Sequence, residues 1–179
     1  MNTFSDPTQI VEQFDIVGGQ HIADLGAGSG AYCFALAEKF KNNSDTKIFG
    51  IDVQRDLLAR LESEAENRGL HAIHGVWGDI EEPKGTRLRD QSIDTVIIAN
   101  TLFQVDHKKG LIEEVTRILR PEGKLIIIDW SESFGHIGPK PDHVITEAAA
   151  KSLCEDAGFT LRKDIEAGEH HYGFIMVRT

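Results

Sequence analysis

Two spacings of apolar residues take turns along this chain. Short continuous runs occur at Ile22-Ala-Asp-Leu25, Lys47-Ile-Phe-Gly-Ile51, Leu70 to Val76, Ser92-Ile-Asp-Thr-Val-Ile-Ile-Ala99 and Lys124-Leu-Ile-Ile-Ile-Asp129. Each has the length of a strand and is bounded by turn residues, as strands buried on both faces are. Between them apolar positions recur at helical spacing: Tyr32 to Ala37 and on to about Lys41, Gln54 to Asn67 (Leu57, Leu58, Leu61), and Lys108 to Leu119 (Leu111, Ile112, Val115, Ile118). Gly69 closes the second of these helices as a C-cap, and Arg120-Pro-Glu-Gly123 makes the turn after the third. Strand and helix alternating in this way predict a doubly wound parallel sheet.

The rhythm breaks after Asp129. Trp130 to Asp142 is a loop with two glycines and two prolines, long enough for a functional role. A helix over Ile145 to Gly158 follows. Phe159 to Ile165 and His171 to Val177 are then strands joined by Glu166-Ala-Gly-Glu169, a link so short that they must pair antiparallel. At the other end, Phe4-Ser-Asp-Pro-Thr8 starts a helix, with Asp6 as N-cap, Pro7 in the first helical position and Ile10, Val11 and Phe14 as the apolar face. Two readings of this arm (residues 1–18) stay open. It closes over a ligand site, or it only covers the sheet.

The chemistry concentrates at Ile22-Ala-Asp-Leu-Gly-Ala-Gly-Ser-Gly-Ala31. A strand ends there in Gly26, Gly28 and Gly30, and a helix begins. Glycine permits positive φ and close approach of backbone to a ligand, and the first amides of the helix face outward. Gly26, Gly28 and Ala31 also fit the dinucleotide fingerprint, so spacing alone does not choose the ligand. Asp52 ends the second strand, where an acid holds ribose hydroxyls; the competing role is an N-cap for the helix from Gln54. Asp79, in Trp77-Gly-Asp-Ile80, either accepts from an adenine amino group while Ile80 packs on its ring, or only shapes a turn. Glu81 to Gln91 is polar and reads as a surface connection.

Length and charge narrow the picture further. The 179 residues suffice for one domain, taken as residues 1–179. A formal net charge of -10 argues against a nucleic-acid partner. No apolar run reaches membrane-spanning length and the first residues do not read as a signal peptide, so a cytoplasmic protein without stable membrane association is expected. Cys33 and Cys154 sit in helical patterns, which suggests neither disulfide nor zinc.

With these motifs in view, the chain resembles the class I S-adenosylmethionine-dependent methyltransferases, and within them the methyltransferase type 11 group that includes ubiquinone and menaquinone biosynthesis enzymes. Asp24-Leu-Gly-Ala-Gly-Ser-Gly30 is similar to the family's glycine motif, Asp52 to its ribose acid and Gly78-Asp79-Ile80 to its adenine segment. Asp94 to Asn100 is similar to the fourth-strand motif, and Leu119-Arg-Pro-Glu-Gly-Lys124 to the turn that follows. The resemblance implies a Rossmann-like doubly wound seven-stranded sheet, parallel except for an antiparallel C-terminal strand. It implies S-adenosylmethionine as cofactor, with contacts at Asp24, Gly26, Ala27, Gly28, Gly30, Asp52, Val53, Gly78, Asp79, Ile80 and Asn100. It implies a small-molecule methyl acceptor and leaves oligomeric state open. Glu122 departs from the glycine usual in that group. The few residues outside the core domain bar transfer of the quinone substrates, and two cysteines are too few for the arsenite methyltransferases.

Methyl transfer needs alignment, exclusion of water and, for an acidic acceptor, a base. The acceptor must approach the carboxyl ends of the strands, whose rim holds Asn100, Phe103, Gln104, Asp106, His107, Asp129 and Trp130. His107 and Asp129 are candidate bases, each with a competing role as cap or solvated residue, and no catalytic residue is assigned. The 130–142 loop, with Phe103 and Gln104, is the expected acceptor site. His136, His143 and Glu169-His-His-Tyr172 would form a metal site only if they met; solvated histidines are the expectation, and no metal. Two other functions compete: a cofactor-binding subunit that needs a partner, and an NAD(P)-dependent oxidoreductase.

Overall fold

The strands assemble into one seven-stranded sheet in a computed structural model that describes residues 6–134 and 138–179. Phe4 and His136 lie outside the described residues. In chain order the elements are α1 (Pro7–Ile10), β1 (His21–Leu25), α2 (Ala31–Lys39), β2 (Lys47–Asp52), α3 (Arg55–Asn67), β3 (Ile73–Trp77), β4 (Ile93–Ala99), α4 (Lys108–Ile118), β5 (Leu119–Trp130), α5 (Glu147–Asp156), β6 (Phe159–Asp164) and β7 (His171–Arg178). The strand order is β3-β2-β1-β4-β5-β7-β6. All pairs up to β5 are parallel, and β7 runs antiparallel to both neighbours. The short link between β6 and β7 forces this: it permits only a hairpin, and β7 inserts between β5 and β6.

Each face of the sheet carries its own core. On one face Ile22, Ile48, Ile126, Ile128 and Ile175 pack against Tyr32 and Leu36 of α2, Leu58 and Leu61 of α3, and Ile10, Val11 and Phe14 of the arm. On the other, Val96, Ile98, Leu125, Ile127 and Phe174 meet Leu111, Ile112, Val115 and Ile118 of α4 and Ala150 and Cys154 of α5. The arm covers the sheet as one of its two readings has it. Asp6 caps the helix through the Thr8 amide at 3.0 Å. Phe14, fully buried, is worth about 2 kcal/mol by area. The Gln13 carboxamide exchanges two hydrogen bonds with the Glu166 backbone, at 3.0 and 2.8 Å, tying the arm to the β6–β7 turn.

Three features differ from the sequence reading. β3 starts at Ile73 rather than Leu70, because Leu70 belongs to the end of α3. Gly69 takes φ +65°, its amide bonds Glu66 and the Leu70 amide bonds Ala65, so Leu70 folds back onto the helix as a hydrophobic cap. Arg120 to Gly123 is a bulge inside β5 and not a turn before it: Ile93 pairs with Leu119, and Thr95 next pairs with Lys124. Glu122 sits on this bulge at φ +61°. The connection from Glu81 to Gln91 is also less superficial than its polarity suggests. Thr86 is buried and donates to Glu114, whose carboxylate also accepts from the Lys84 and Thr86 amides and pairs with Arg117.

Candidate functional site

The site is built where β1, β2, β3 and β4 all end. The turn after β1 is held open by backbone geometry: Gly26, Gly28 and Gly30 have φ of +75°, +54° and +81°. The Gly26 and Ala27 amides donate to the Ile51 carbonyl at 2.9 and 3.0 Å, fixing the turn to β2. Two of the glycines have steric work as well. A Cβ on Gly26 would lie 2.6 Å from Thr101, and one on Gly30 would lie 2.2 Å from Leu61 Cδ1. Gly28 faces open space, with nothing nearer than 3.9 Å.

Asp52 joins the turn to the second strand. Its Oδ2 accepts from the Gly28 amide at 2.9 Å and its Oδ1 from the Gln54 amide at 2.9 Å. It is not the N-cap of the following helix; Gln54 holds that position and makes no side-chain cap bond. Behind it, Asp24 is buried and accepts a hydrogen bond from the Cys33 thiol at 3.3 Å. Burial, helped by the nearby Asp52 charge, pushes the Asp24 carboxyl up to about 6. The same burial and the Asp24 charge hold the Cys33 thiol well above its usual range.

The third wall comes from β3. The Gly78 amide donates to the Asp52 carbonyl at 3.2 Å, and a Cβ on Gly78 would collide with the Gly85 carbonyl at 2.3 Å. Asp79 makes the turn expected of it, accepting from the Glu81 amide at 3.0 Å, and also lines the cleft. Trp77 fixes the neighbouring wall: its Nε1 donates to the Val53 carbonyl at 3.0 Å, and the Arg55 and Arg87 guanidinium groups cover its ring at 4.1 and 4.3 Å. The fourth wall follows β4. Asn100 adopts φ +53°, donates its amide to Ile128 at 2.8 Å and accepts from Gln104 at 2.9 Å on its carbonyl.

Together these walls enclose a cleft of about 460 Å³. All the expected contact residues line it except Gly30, whose role is the close approach of α2 to Leu61. Sequence reasoning missed Tyr32, Gln54, Glu81 and Thr101 as lining residues. Tyr32 and Gln54 each lie two residues beyond a motif position, Gly30 and Asp52, so motif proximity was an available signal. Glu81 and Thr101 lie nearer still, one residue beyond Ile80 and Asn100. Among the described residues the cleft lining contains the acids Asp24, Asp52, Asp79 and Glu81 and no lysine, arginine or histidine.

The rim residues divide. Gln104 lines the cleft; Phe103, Asp106, His107, Asp129 and Trp130 do not. His107 is exposed at the start of α4, where its amide and that of Asp106 donate to Glu81. Asp129 is fully buried, with Oδ1 accepting from the Trp130 amide at 2.8 Å and Oδ2 from the Phe103 amide at 3.2 Å. Burial pushes it up to about 6. Its geometry makes it the anchor of the 3₁₀ turn Leu102–Gln104, which presents Gln104 to the cleft. Among the described residues no group of three or more His, Cys, Asp or Glu that could hold a metal ion occurs. His170 pairs instead with Glu132 at 2.8 Å and stacks on Phe134.

Comparison with known proteins bears on this cleft. Residues 16–166 match the family model described as a methyltransferase domain. The chain is 27% identical over 177 residues (94% of the chain) to phosphoethanolamine N-methyltransferase 1 of Arabidopsis thaliana. It is 30% identical over 119 residues (64% of the chain) to an arsenite methyltransferase of Aquipseudomonas alcaligenes. It spans about a third of each of these relatives, 34% in both cases. Among solved structures, a SAM-dependent methyltransferase from Aquifex aeolicus superposes with a TM-score of 0.87 at 24% identity, covering 99% of this chain and 92% of that one.

Proposed function

This chain belongs to the methyltransferase domain family, and we propose that it transfers the methyl group of S-adenosylmethionine to a small molecule. The observation that carries the reading is the acidic, cation-free lining of the cleft beside a glycine turn. A dinucleotide would bring its negative pyrophosphate against four carboxylates. A sulfonium that also carries an ammonium, two ribose hydroxyls and an adenine amino group meets acceptors on every side.

The residues then take separate roles. Asp52 receives the ribose hydroxyls, and the Gly26–Gly28 backbone lets the ligand approach closely. Asp79 accepts from the adenine amino group while Val53 and Ile80 pack on the ring. Asp24 and Asn100 close the amino-acid end. When bound, the cofactor supplies an activated methyl carbon; the protein aligns it with the acceptor and keeps water out. A dedicated base in the cleft is not part of this reading, since His107 and Asp129 stand outside it.

The proposal treats residues 1–179 as one catalytic domain in the cytoplasm, acting on neither nucleic acid nor membrane. The net charge of -10 supports this, and no helix among the described residues is long and apolar enough to cross a membrane. Incubation with methyl-labelled S-adenosylmethionine and a panel of small acceptors tests the activity. Label should move to a low-molecular-weight product; protein that binds the cofactor yet labels nothing in a broad panel would contradict it.

A further inference from the structure

A second cavity, of about 430 Å³, opens at the end of the sheet opposite the cleft, where β2 and β3 begin and α2 and α3 end. Its charge is the reverse of the cleft's. Lys41, Lys47, His71 and His74 line it, and among the described residues no aspartate or glutamate does. In a chain of net charge -10 this is an unusual concentration of basic groups. Among the described residues Lys47, His71 and His74 make no ion pair. Lys41 meets Glu38 at 3.9 Å, but Glu38 is held more closely by Arg68, at 2.9 Å. Compensation of helix C-termini accounts for Lys41 at most, since Lys47 and His74 stand on strands.

The walls of this cavity are fixed by hydrogen bonds. On one side Asn43 Oδ1 accepts from the Asp45 and Thr46 amides at 3.1 and 3.2 Å and from the Thr46 hydroxyl at 3.2 Å. The Thr46 hydroxyl in turn accepts from the Gly19 amide at 2.8 Å, tying this loop to the start of β1. On the other side the Leu70 amide bonds Ala65 at 2.8 Å, and the Ala72 carbonyl accepts from the Ile48 amide at 2.8 Å. The floor is apolar: Leu70 belongs to the core beneath, and Phe40 and Ala72 pack against it. A preformed cavity with an apolar floor and a few polar groups on its walls is what a small-molecule site requires, and sites of about 300–1,000 Å³ are usual.

We propose that this cavity is a second ligand site, separate from the cofactor cleft, that takes a small phosphorylated molecule with a flat ring, of about mononucleotide size. Lys41 and Lys47 supply the positive charge that a phosphate ester needs, and lysine binds phosphate as a point charge. His71 and His74 add ring nitrogens, and Asn42 and Ser44 add an amide and a hydroxyl as further donors. Phe40 and Ala72 offer the ring an apolar surface. The net charge of -10 disfavours a long polyanion such as a nucleic acid, so the ligand is a small one. A cationic ligand would find no carboxylate among the described lining residues.

Three probes test this: uridine 5′-monophosphate, uridine and inorganic phosphate. Calorimetry should show the nucleotide binding at least tenfold more tightly than either of the others. Its affinity should agree within twofold between ligand-free protein and protein saturated with S-adenosylhomocysteine. In NMR spectra the His71 and His74 imidazole signals should shift on its addition, while those of His107, at the start of α4, stay in place. Lys41→Gln combined with Lys47→Gln should weaken the nucleotide at least tenfold and leave S-adenosylhomocysteine affinity within twofold. Each of the following would overturn the proposal: no saturable nucleotide binding at millimolar concentration, equal binding of uridine, unmoved His71 and His74 signals, undiminished affinity in the double variant, or displacement of the nucleotide by S-adenosylhomocysteine. The NMR readout needs no variant, so misfolding of the double variant leaves the test intact.

Discussion

The Gly28 amide donates to Asp52 Oδ2 at 2.9 Å, linking the glycine turn of one strand to the acid that ends the next. Residues 24 apart in sequence thus form one unit, and the carboxylate that would receive ribose hydroxyls also shapes the turn. Asp52→Ala should weaken S-adenosylhomocysteine binding at least tenfold, since each charge-assisted bond contributes about 1.5–3 kcal/mol. It should also lower stability by about 1–2 kcal/mol, because the Gly28 and Gln54 amides lose their partner. Titration calorimetry and urea denaturation measure the two effects separately.

Gly28 and Gly30 should respond in opposite ways to alanine. Gly30→Ala drives a methyl into Leu61, 2.2 Å away, at φ +81°, and should cost about 2–4 kcal/mol of folding stability. Gly28→Ala meets open space and should cost only the left-handed backbone strain, about 1 kcal/mol, but its methyl enters the cleft. Denaturation should therefore single out Gly30→Ala, and calorimetry Gly28→Ala. Loss of affinity in folded Gly30→Ala with full affinity in Gly28→Ala would reverse the assignment.

Two buried carboxyls give the stability a definite slope with pH. Asp24 and Asp129 are both raised from 3.8 to about 6, so folding takes up protons between those values. Their contribution is most favourable below about pH 4 and falls as pH rises through about 6, by up to about 1.4 kcal/mol per pH unit for each group. Asp129→Asn removes one of the two groups. Its unfolding free energy, compared with wild type from pH 4 to 7, should fall less steeply; parallel curves would contradict the burial argument.

Glu122 holds a left-handed backbone, φ +61°, on the bulge of β5 with its side chain exposed. Glu122→Gly should stabilise the fold by up to about 1 kcal/mol by relieving that strain. Gly123→Ala, whose Cβ would lie 2.8 Å from the Arg120 carbonyl, should destabilise it. Thermal melting of the two variants should move in opposite directions.

The sheet was legible because both spacings repeat over whole elements: five apolar runs and the two strands of the C-terminal hairpin became seven strands, and the short 166–169 link determined the antiparallel pairing of β6 and β7. Local chemistry that depends on three-dimensional closure was not. The bulge at Arg120–Gly123 has turn composition, and only pairing across to Ile93 and Thr95 shows that the strand continues through it. Leu70 reads as strand until the Gly69 cap turns it back. At the site, motif residues announced the cofactor walls, and the other lining residues Tyr32, Gln54, Glu81 and Thr101 follow within two residues of a motif position. Asp129 looked like a rim base because it ends a strand; its two backbone hydrogen bonds and complete burial make it an anchor.

The central claim is that an acidic, cation-free cleft beside a glycine turn selects a sulfonium cofactor over a dinucleotide. Titration calorimetry of the same protein with S-adenosylmethionine, S-adenosylhomocysteine, NAD and NADP tests it most directly. Both adenosyl compounds should bind with one-to-one stoichiometry and lose affinity in Asp52→Ala, and neither dinucleotide should give measurable heat. Saturable binding of NAD or NADP with no response to either adenosyl compound would contradict the account.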